Sequence, residues 1–119
     1  MTIAIDFDGV ISNYTGWKGV PTFPEPVPGA RESIKFLRAA GNKIIVHTCR
    51  SDIDAVKHYL DEYMIEYDYI NFNPDNELFC LNDKKILADL YIDDRAIHFN
   101  GSWTDTLSKI DEFKPWWRK

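Results

Sequence analysis

Cysteine is scarce in this sequence: Cys49 and Cys80 are the only two among 119 residues. Two cysteines without CxxC spacing cannot build a disulfide scaffold, so a reducing compartment, most simply the cytoplasm, is expected. Long apolar runs are also absent, and none approaches the ~20 residues that span a bilayer, which excludes a transmembrane protein. Residues 1–6 lack a basic segment followed by an apolar stretch, so we expect no signal peptide.

Positive charge is in the minority, with 14 lysines and arginines against 19 acidic residues and a net charge of -5. No lysine or arginine occurs between His58 and Asp83, although acidic residues are frequent there. Proteins that bind nucleic acid in general present a basic face, so general nucleic-acid binding is not expected, nor is a membrane partner. The acidic segment is interpreted as a solvated surface.

The sequence does contain enough apolar material for one core. Hydrophobic residues make up 45% and charged residues 28%, as is ordinary for a soluble globular protein. A length of 119 residues corresponds to one domain. Because no repeat, low-complexity tract or linker interrupts the chain, we predict a single domain over residues 1–119.

Segments of strand and helix character alternate along the chain. Apolar runs rich in β-formers predict strands, and apolar residues at helical spacing predict helices, one of them with Asp52 as its N-cap. The predicted strands cover residues 2–7, 43–48, 69–72, 88–92 and 96–99, and the predicted helices cover residues 30–40, 53–66 and 104–113. Such alternation is typical of βαβ units. The expected fold class is α/β, a three-layer Rossmann-like fold with a central, mostly parallel sheet of about five strands.

A long segment over residues 9–28, rich in glycine and proline, separates the first strand from the first helix. Its composition disfavours helix and central strand, and loops of this length in small domains are usually functional. Its aromatic residues are Tyr14, Trp17 and Phe23. Either they stack on a base or sugar of a ligand, or they fix the loop to the body of the protein. Trp116 and Trp117 are expected to pack the final helix or to serve a subunit contact.

Two pairs of carboxylates follow predicted strands. Asp6 and Asp8 are two residues apart, so their side chains project from the same face, and Asp93 and Asp94 follow the fourth strand. An aspartate after a strand often forms a turn or caps a helix, so either pair alone would be a weak signal. Ligands of parallel sheets bind at the carboxyl ends of the strands. Neighbouring carboxylates repel, and a hard divalent cation, most simply Mg²⁺, would remove that repulsion.

The sequence DFDGV at 6–10 resembles the first motif of the haloacid dehalogenase-like (HAD) superfamily, most of whose members are Mg²⁺-dependent phosphohydrolases. The sequence IIVHT at 44–48 looks like the second motif of that family. The lysines at 84–85 and the sequence ADLYIDD at 88–94 look like its third and fourth motifs. The resemblance extends over about residues 2–100 with the motifs in the expected order, and it implies a magnesium-dependent phosphatase.

The resemblance assigns chemical roles to individual residues. Asp6 is implied to be the nucleophile that accepts the phosphoryl group as an aspartyl-phosphate, and Asp8 the general acid and then the base. Thr48 is implied to donate its hydroxyl to a phosphoryl oxygen. Lys85 is preferred as the lysine that stabilises the charge of the transferring group, with Lys84 as the alternative.

The resemblance also implies how a metal and a substrate are bound. Asp6 and Asp94 would ligate Mg²⁺ through their carboxylates, Asp8 through its backbone carbonyl, and Asp93 as a water-held partner. Arg50, two residues beyond the second motif, either grips a phosphate or substrate oxygen bidentately or is a surface arginine.

Many family members carry a cap domain after the first motif or after the third strand. Here the corresponding segments, residues 9–28 and 73–84, are too short for a domain, which implies a capless member with an open site. The implied substrate is a phosphorylated small molecule or a nucleic-acid end, with a nucleotide among the leading candidates, and a homo-oligomer could close the site. The alternatives are a receiver-type phosphoacceptor, disfavoured by Asn71 after the third strand, and a catalytically silent phosphate-binding protein.

Overall fold

The computed structural model describes residues 1–79, 82 and 84–118. In chain order the elements are β1 (Thr2–Asp6), α1 (Ala30–Ala39), β2 (Lys43–His47), α2 (Ile53–Glu62), β3 (Tyr69–Ile70), α3 (Asp75–Phe79), β4 (Leu90–Ile92) and α4 (Trp103–Glu112). Two residues considered above, Cys80 and Asp83, lie outside the described residues. None of the described helices has the length and apolar character needed to cross a membrane.

The four strands form one parallel sheet in the order β3-β2-β1-β4. Ile3 of β1 lies opposite Ile44 of β2 on one side and opposite Leu90 of β4 on the other. The chain therefore builds the sheet from β1 through β2 to β3 and then returns to add β4 beyond β1. The predicted α/β class with a parallel sheet is confirmed.

The hydrophobic core covers one face of β1 and β2. Its buried members are Ile3, Ile5, Phe7, Ile11, Ile34, Ile44, Val46, Val56, Tyr59, Leu60 and Ile65. They alternate along the two strands, as the two-residue period of a strand requires, and they pack against side chains of α1 and α2. Ala4 and Ile45, on the opposite face, are buried as well. Burial on both faces explains why these strands are almost continuously apolar.

The predicted fifth strand, over residues 96–99, is wrong: the sheet has four strands in the part of the chain that is described. A turn follows β4, where the backbone N–H of Arg95 donates to Oδ1 of Asp93 at 2.8 Å. This turn changes the direction of the chain after β4, and residues 96–100 have no regular secondary structure. An aspartate side chain that bonds to the backbone two residues later is a common turn former, and here it outweighs the apolar pattern.

The end of α2 also differs from expectation. The N-cap role of Asp52 is confirmed, because its side chain accepts from the Ala55 N–H at 3.0 Å. However, α2 ends at Glu62 rather than near residue 66. Met64 has a φ of 56°, in the left-handed region, and this reverses the chain so that Ile65 is buried in the core.

Helix α3 was not predicted from the sequence. Buried amides organise it: Oδ1 of Asn73 accepts from the Asp75 N–H at 3.0 Å, and the side chain of Asn76 bonds to backbone groups of Lys85 and Leu87. These contacts join segments that are distant along the chain, so no local periodicity indicates them.

The carboxylate of Asp68 ties β2 to α1. Its Oδ2 accepts from the backbone N–H of Ile44 at 2.8 Å, and its Oδ1 accepts from Nη2 of Arg38 at 2.9 Å. The hydrogen bond from Arg38 is the main reason that the pKa of Asp68 lies below its ordinary value, and the bond from Ile44 acts in the same direction. The charged form of Asp68 therefore stabilises the folded chain.

We expect Asp68→Ala to lower the free energy of unfolding by about 2 kcal/mol at pH 7, since it leaves the Ile44 N–H and Arg38 without their acceptor. A depressed folded pKa means that the electrostatic part of this contribution is present above the unfolded pKa of about 3.9 and is lost as the pH falls through the folded value. Urea unfolding at pH 7 and pH 3 should show the difference from wild type shrink at pH 3. Asp61→Ala, at an exposed carboxylate of α2, is the control. An equal loss in both variants would contradict the prediction.

Candidate functional site

The candidate site lies at the carboxyl ends of β1 and β4, on either side of the point where the strand order reverses. Asp6 is the last residue of β1, and Asp93 and Asp94 directly follow β4. Because the two strands are parallel neighbours, their ends bring together carboxylates that are almost ninety residues apart along the chain. This is the region where parallel sheets bind ligands.

Three carboxylates form a cluster there. Ligand oxygens of Asp6, Asp93 and Asp94 all lie within 4.8 Å of one another. Asp94 has one oxygen, Oδ1, that is buried without a hydrogen-bond partner among the described residues. A buried acceptor without a partner is unfavourable, and a cation that accepts its lone pair would satisfy it. The donor set of carboxylate oxygens suits a hard divalent cation.

The electrostatics of Asp6 agree with this geometry. Burial, the adjacent carboxylate of Asp94 and the negative charges of Asp93 and Asp94 raise the pKa of Asp6 to about 8, against a smaller lowering effect from the Phe7 N–H. The ionised form of Asp6 is therefore disfavoured near neutral pH unless a positive charge joins the cluster.

Asp8 occupies a different environment from the cluster. Its carboxylate accepts from Nε of Arg50 at 2.9 Å and from Nη2 at 2.7 Å, and the hydroxyl of Ser12 donates to it at 3.3 Å. These hydrogen bonds raise the pKa of Arg50 above its ordinary value. Arg50, expected to contact a phosphate or to be a surface arginine, forms a partly buried ion pair with Asp8; its contact with a phosphate stays a prediction.

Thr48 lies immediately beyond β2 and is buried. Its Oγ1 accepts from the Arg50 N–H at 3.1 Å. The amide of Asn71 contacts the backbone of Thr48 twice: Oδ1 accepts from the N–H, and Nδ2 donates to the carbonyl oxygen, each at 2.8 Å. Asn71 thus fixes the position of Thr48, and the sequence reading missed this role. The signal was an asparagine at a strand end, a residue that tolerates the left-handed φ of 52° found there.

The two candidate lysines lie on the surface. Lys84 and Lys85 are both exposed, and Nζ of Lys85 is 5.4 Å from the centroid of the Tyr91 ring. Within the described residues, neither ammonium group forms an ion pair with Asp6, Asp93 or Asp94.

The C-terminal tryptophans, expected to pack the final helix or to serve a subunit contact, form hydrogen bonds at the site. Nε1 of Trp117 donates to Oδ2 of Asp94 at 2.6 Å, and Nε1 of Trp116 donates to the carbonyl oxygen of Gly9 at 2.6 Å. The Trp117 ring also meets Tyr14 edge to face at 6.0 Å. Residues 115–118 therefore orient one carboxylate of the cluster. The periodicity of the sequence gave no signal for this contact, because residues 115–118 follow the end of α4.

Gly9 lies where these groups converge. It is buried, with a φ of 84°. A Cβ at this position would lie 2.8 Å from Cγ of Asp94 and 3.1 Å from Nε1 of Trp117. Glycine is thus required both by the backbone conformation and by the close approach of Asp94.

A cavity of about 400 Å³ opens beside Asp8. It lies between the 9–28 loop, which contributes Tyr14, Trp17 and Phe23, and residues 49–52 after β2. Phe23 also packs against core rings, so it does fix the loop to the body. Trp17 is 66% exposed and has no such structural role. Fixing of the loop to the body is thus confirmed for Phe23, and stacking of the loop aromatics on a ligand stays a prediction.

Comparison with known proteins gives one informative similarity. No family model matches the chain, and no curated protein matches it. Among solved structures, the chain is similar to a conserved protein coded by a locus from Bacteroides thetaiotaomicron, with a TM-score of 0.68 and 29% sequence identity. The match covers 96% of this chain and 92% of that one, so the two share the fold over almost their whole length.

Proposed function

We propose that the protein is a Mg²⁺-dependent phosphomonoester hydrolase that works through an aspartyl-phosphate intermediate. The observation that carries the proposal is the cluster of Asp6, Asp93 and Asp94, with one buried Asp94 oxygen that has no partner among the described residues. A buried hydroxyl, Thr48, follows the neighbouring strand β2. Carboxylates that require a cation, next to a hydroxyl donor, suit an anionic phosphoryl substrate.

Asp6 and Asp94 would hold Mg²⁺ through their carboxylates, Asp93 through water, and Asp8 through its backbone carbonyl. Bound there, the ion would neutralise charge on the nucleophile and on the phosphoryl group, so that the two anions can approach. The orientation of Asp94 depends on the N–H of Trp117. A donor behind a ligating carboxylate fixes its geometry.

Residues of the chain then take part in the two chemical steps of the proposed hydrolysis. In the first, a carboxylate oxygen of Asp6 bonds to phosphorus while the bond from phosphorus to the leaving oxygen breaks, and Asp8 gives that oxygen its proton. In the second, water attacks phosphorus, Asp8 takes a proton from the water, and inorganic phosphate leaves Asp6. Thr48 donates its hydroxyl to a phosphoryl oxygen throughout, and Lys85 is the proposed source of additional positive charge.

The ion pair between Asp8 and Arg50 bears on the first step. A guanidinium can bond bidentately to a phosphoryl group as it does to a carboxylate. We therefore assign Arg50 to the incoming phosphoryl group, to whose oxygens it would transfer the hydrogen bonds that it makes with Asp8. Without substrate, Arg50 holds Asp8 beside the end of β1.

The remaining expectations belong to the same proposal. A three-layer Rossmann-like arrangement is supported by the core that α1 and α2 form on one face of the sheet and by the burial of Ala4 and Ile45 on the other. Membership of the HAD superfamily is supported by the four motifs, and a cytoplasmic location by the scarcity of cysteine. A receiver-type phosphoacceptor has less support, since the residue after β3 is Asn71 and its amide is occupied by Thr48.

The test is metal-dependent hydrolysis of 4-nitrophenyl phosphate. We expect turnover with Mg²⁺, background rates in excess chelator, and full recovery when Mg²⁺ is restored. Asp94→Asn should raise the Mg²⁺ concentration for half-maximal rate at least about tenfold, because a neutral amide replaces an anionic ligand. Asp111→Asn, at an exposed carboxylate of α4, should leave it unchanged. Undiminished turnover in chelator would refute the metal dependence, and binding of inorganic phosphate without any turnover would indicate a phosphate-binding protein.

A further inference from the structure

The cavity beside Asp8 has the dimensions and the lining of a small-molecule site. Its volume of about 400 Å³ falls within the range of such sites, roughly 300–1,000 Å³. Aromatic rings contribute much of its lining, and the ring of Trp17 is largely exposed there. Phe23 is held from behind by Phe7 and Tyr59, with ring centroids 6.4 and 6.0 Å away. A flat apolar group that enters the cavity would therefore meet the fixed ring of Phe23 and the exposed ring of Trp17.

Before substrate binds, the described lining of the cavity offers no unpaired positive charge. Asp8 and Arg50 neutralise one another, and the Arg50 guanidinium lies over the Phe23 ring, 4.2 Å from its centroid. Asp52 accepts from the Ala55 N–H at the start of α2. No lysine lines this cavity in the part of the chain that is described. A polynucleotide needs unpaired cations along its backbone, so this surface suits an uncharged group better than a polyanion.

The position of the cavity links it to the reaction. Asp8 is part of its lining and is also two residues beyond Asp6, the proposed nucleophile. The group that Asp8 protonates is the leaving oxygen, so whatever is attached to that oxygen lies on the Asp8 side of the phosphorus. The remainder of the substrate must therefore be accommodated near this cavity.

We propose that the cavity binds the leaving group of the substrate and that this group is planar and aromatic, an aryl or nucleoside moiety stacked on Trp17. The inference rests on the proposed function, since it assigns the part of the substrate beyond the phosphate. The chemical class of the substrate is a small phosphomonoester whose alcohol portion carries an aromatic ring, as distinct from a phosphoprotein or the phosphorylated end of a nucleic-acid strand.

The assignment is tested by comparing kcat/KM for phosphate esters with and without an aromatic ring. Wild type should hydrolyse adenosine 5′-monophosphate or 4-nitrophenyl phosphate with a higher kcat/KM than glycerol 3-phosphate. Trp17→Ala should lower kcat/KM for the preferred aromatic substrate about tenfold, since stacking of one base on an aromatic side chain contributes about that factor or more, and should change the glycerol 3-phosphate value less than twofold. Phe36→Ala removes an equally exposed ring from α1, outside the cavity, and should change neither.

Binding of unphosphorylated compounds tests the cavity independently of catalysis. Adenosine and 4-nitrophenol are titrated into the protein while the indole N–H signals are followed by NMR, and the Trp17 signal should shift with at least one of them. A response to adenosine alone identifies a nucleoside portion, and a response to 4-nitrophenol alone identifies an aryl portion. If this binding occurs and Trp17→Ala abolishes it while no phosphate ester is hydrolysed, the proposed function fails and the cavity assignment stands.

Three results would overturn the inference. The first is an equal loss of kcat/KM on aromatic and glycerol substrates in Trp17→Ala, which would mean that the ring only supports the loop. The second is no shift of the Trp17 signal with either compound. The third is a 3′-phosphorylated oligonucleotide that is hydrolysed at least tenfold more efficiently than the mononucleotide.

Discussion

Asp6→Asn is expected to abolish hydrolysis of 4-nitrophenyl phosphate, with a loss in kcat on the order of 10⁴-fold or more, as for the removal of other enzymatic nucleophiles. The amide has nearly the shape of the carboxylate but cannot form the acyl-phosphate bond. It also matches the neutral form of Asp6, which burial and the charges of Asp93 and Asp94 already favour when no metal is bound. The variant should therefore fold with unchanged or higher stability while it loses turnover.

Two measurements separate the chemical role of Asp6 from a structural one. Urea unfolding of Asp6→Asn at pH 7 without metal should give a midpoint at or above that of wild type, because the amide needs no proton on folding, whereas the Asp6 carboxylate must be neutralised in the cluster. Asp111→Asn, which makes the same change at an exposed position of α4, should retain full activity. Turnover near the wild-type rate in Asp6→Asn would remove Asp6 from the role of nucleophile, and with it the aspartyl-phosphate mechanism.

Gly9→Ala is expected to produce the second large effect, through Asp94. The new methyl group would lie 2.8 Å from Cγ of Asp94, so the carboxylate or the loop must move. Displacement of a ligand or of its supporting donor typically weakens a metal site 10- to 100-fold. We expect the Mg²⁺ concentration for half-maximal turnover to rise by about that factor, and the free energy of unfolding to fall by about 2–3 kcal/mol from backbone strain and the steric clash together.

The chain contains a matched control for this substitution. Gly19 has a φ of 86°, almost the same as Gly9, but a Cβ there would have no heavy atom within 4 Å. Gly19→Ala thus carries the backbone strain alone, about 1 kcal/mol, and should leave the metal dependence unchanged. If Gly9→Ala and Gly19→Ala change the metal dependence and the stability equally, the close approach of Gly9 to Asp94 does not affect function.

The cluster of acidic residues shows how much of the site can be predicted from the sequence. Asp6 and Asp94 were predicted to meet because each follows an apolar strand, and the ends of neighbouring parallel strands lie at one edge of a sheet. The structure brings them within 4.8 Å of one another, with Asp93. The N-cap of α2 at Asp52 was predicted from an equally local pattern, since the cap joins residues only three positions apart.

Other features of the site could not be predicted from local sequence patterns. The contact of Trp117 with Asp94 joins residues 23 positions apart after an irregular segment, and no periodicity encodes it. The pairing of Asp8 with Arg50 depends on how the 9–28 loop folds over β1, and the bonds from Asn71 to Thr48 depend on the register of β3 against β2. The predicted fifth strand failed because a side-chain turn at Asp93 redirects the chain.

The amino-acid sequence by itself determined the α/β class with a parallel sheet and the edge of the sheet at which the acidic residues gather. Both follow from short-range patterns, since alternation of apolar residues selects strands and helices, and parallel pairing then places their ends together. Tertiary structure decided which groups restrain those carboxylates and what surrounds the space beside them. Those contacts depend on irregular loops and on the C-terminal segment, whose positions are fixed only when the whole chain has packed.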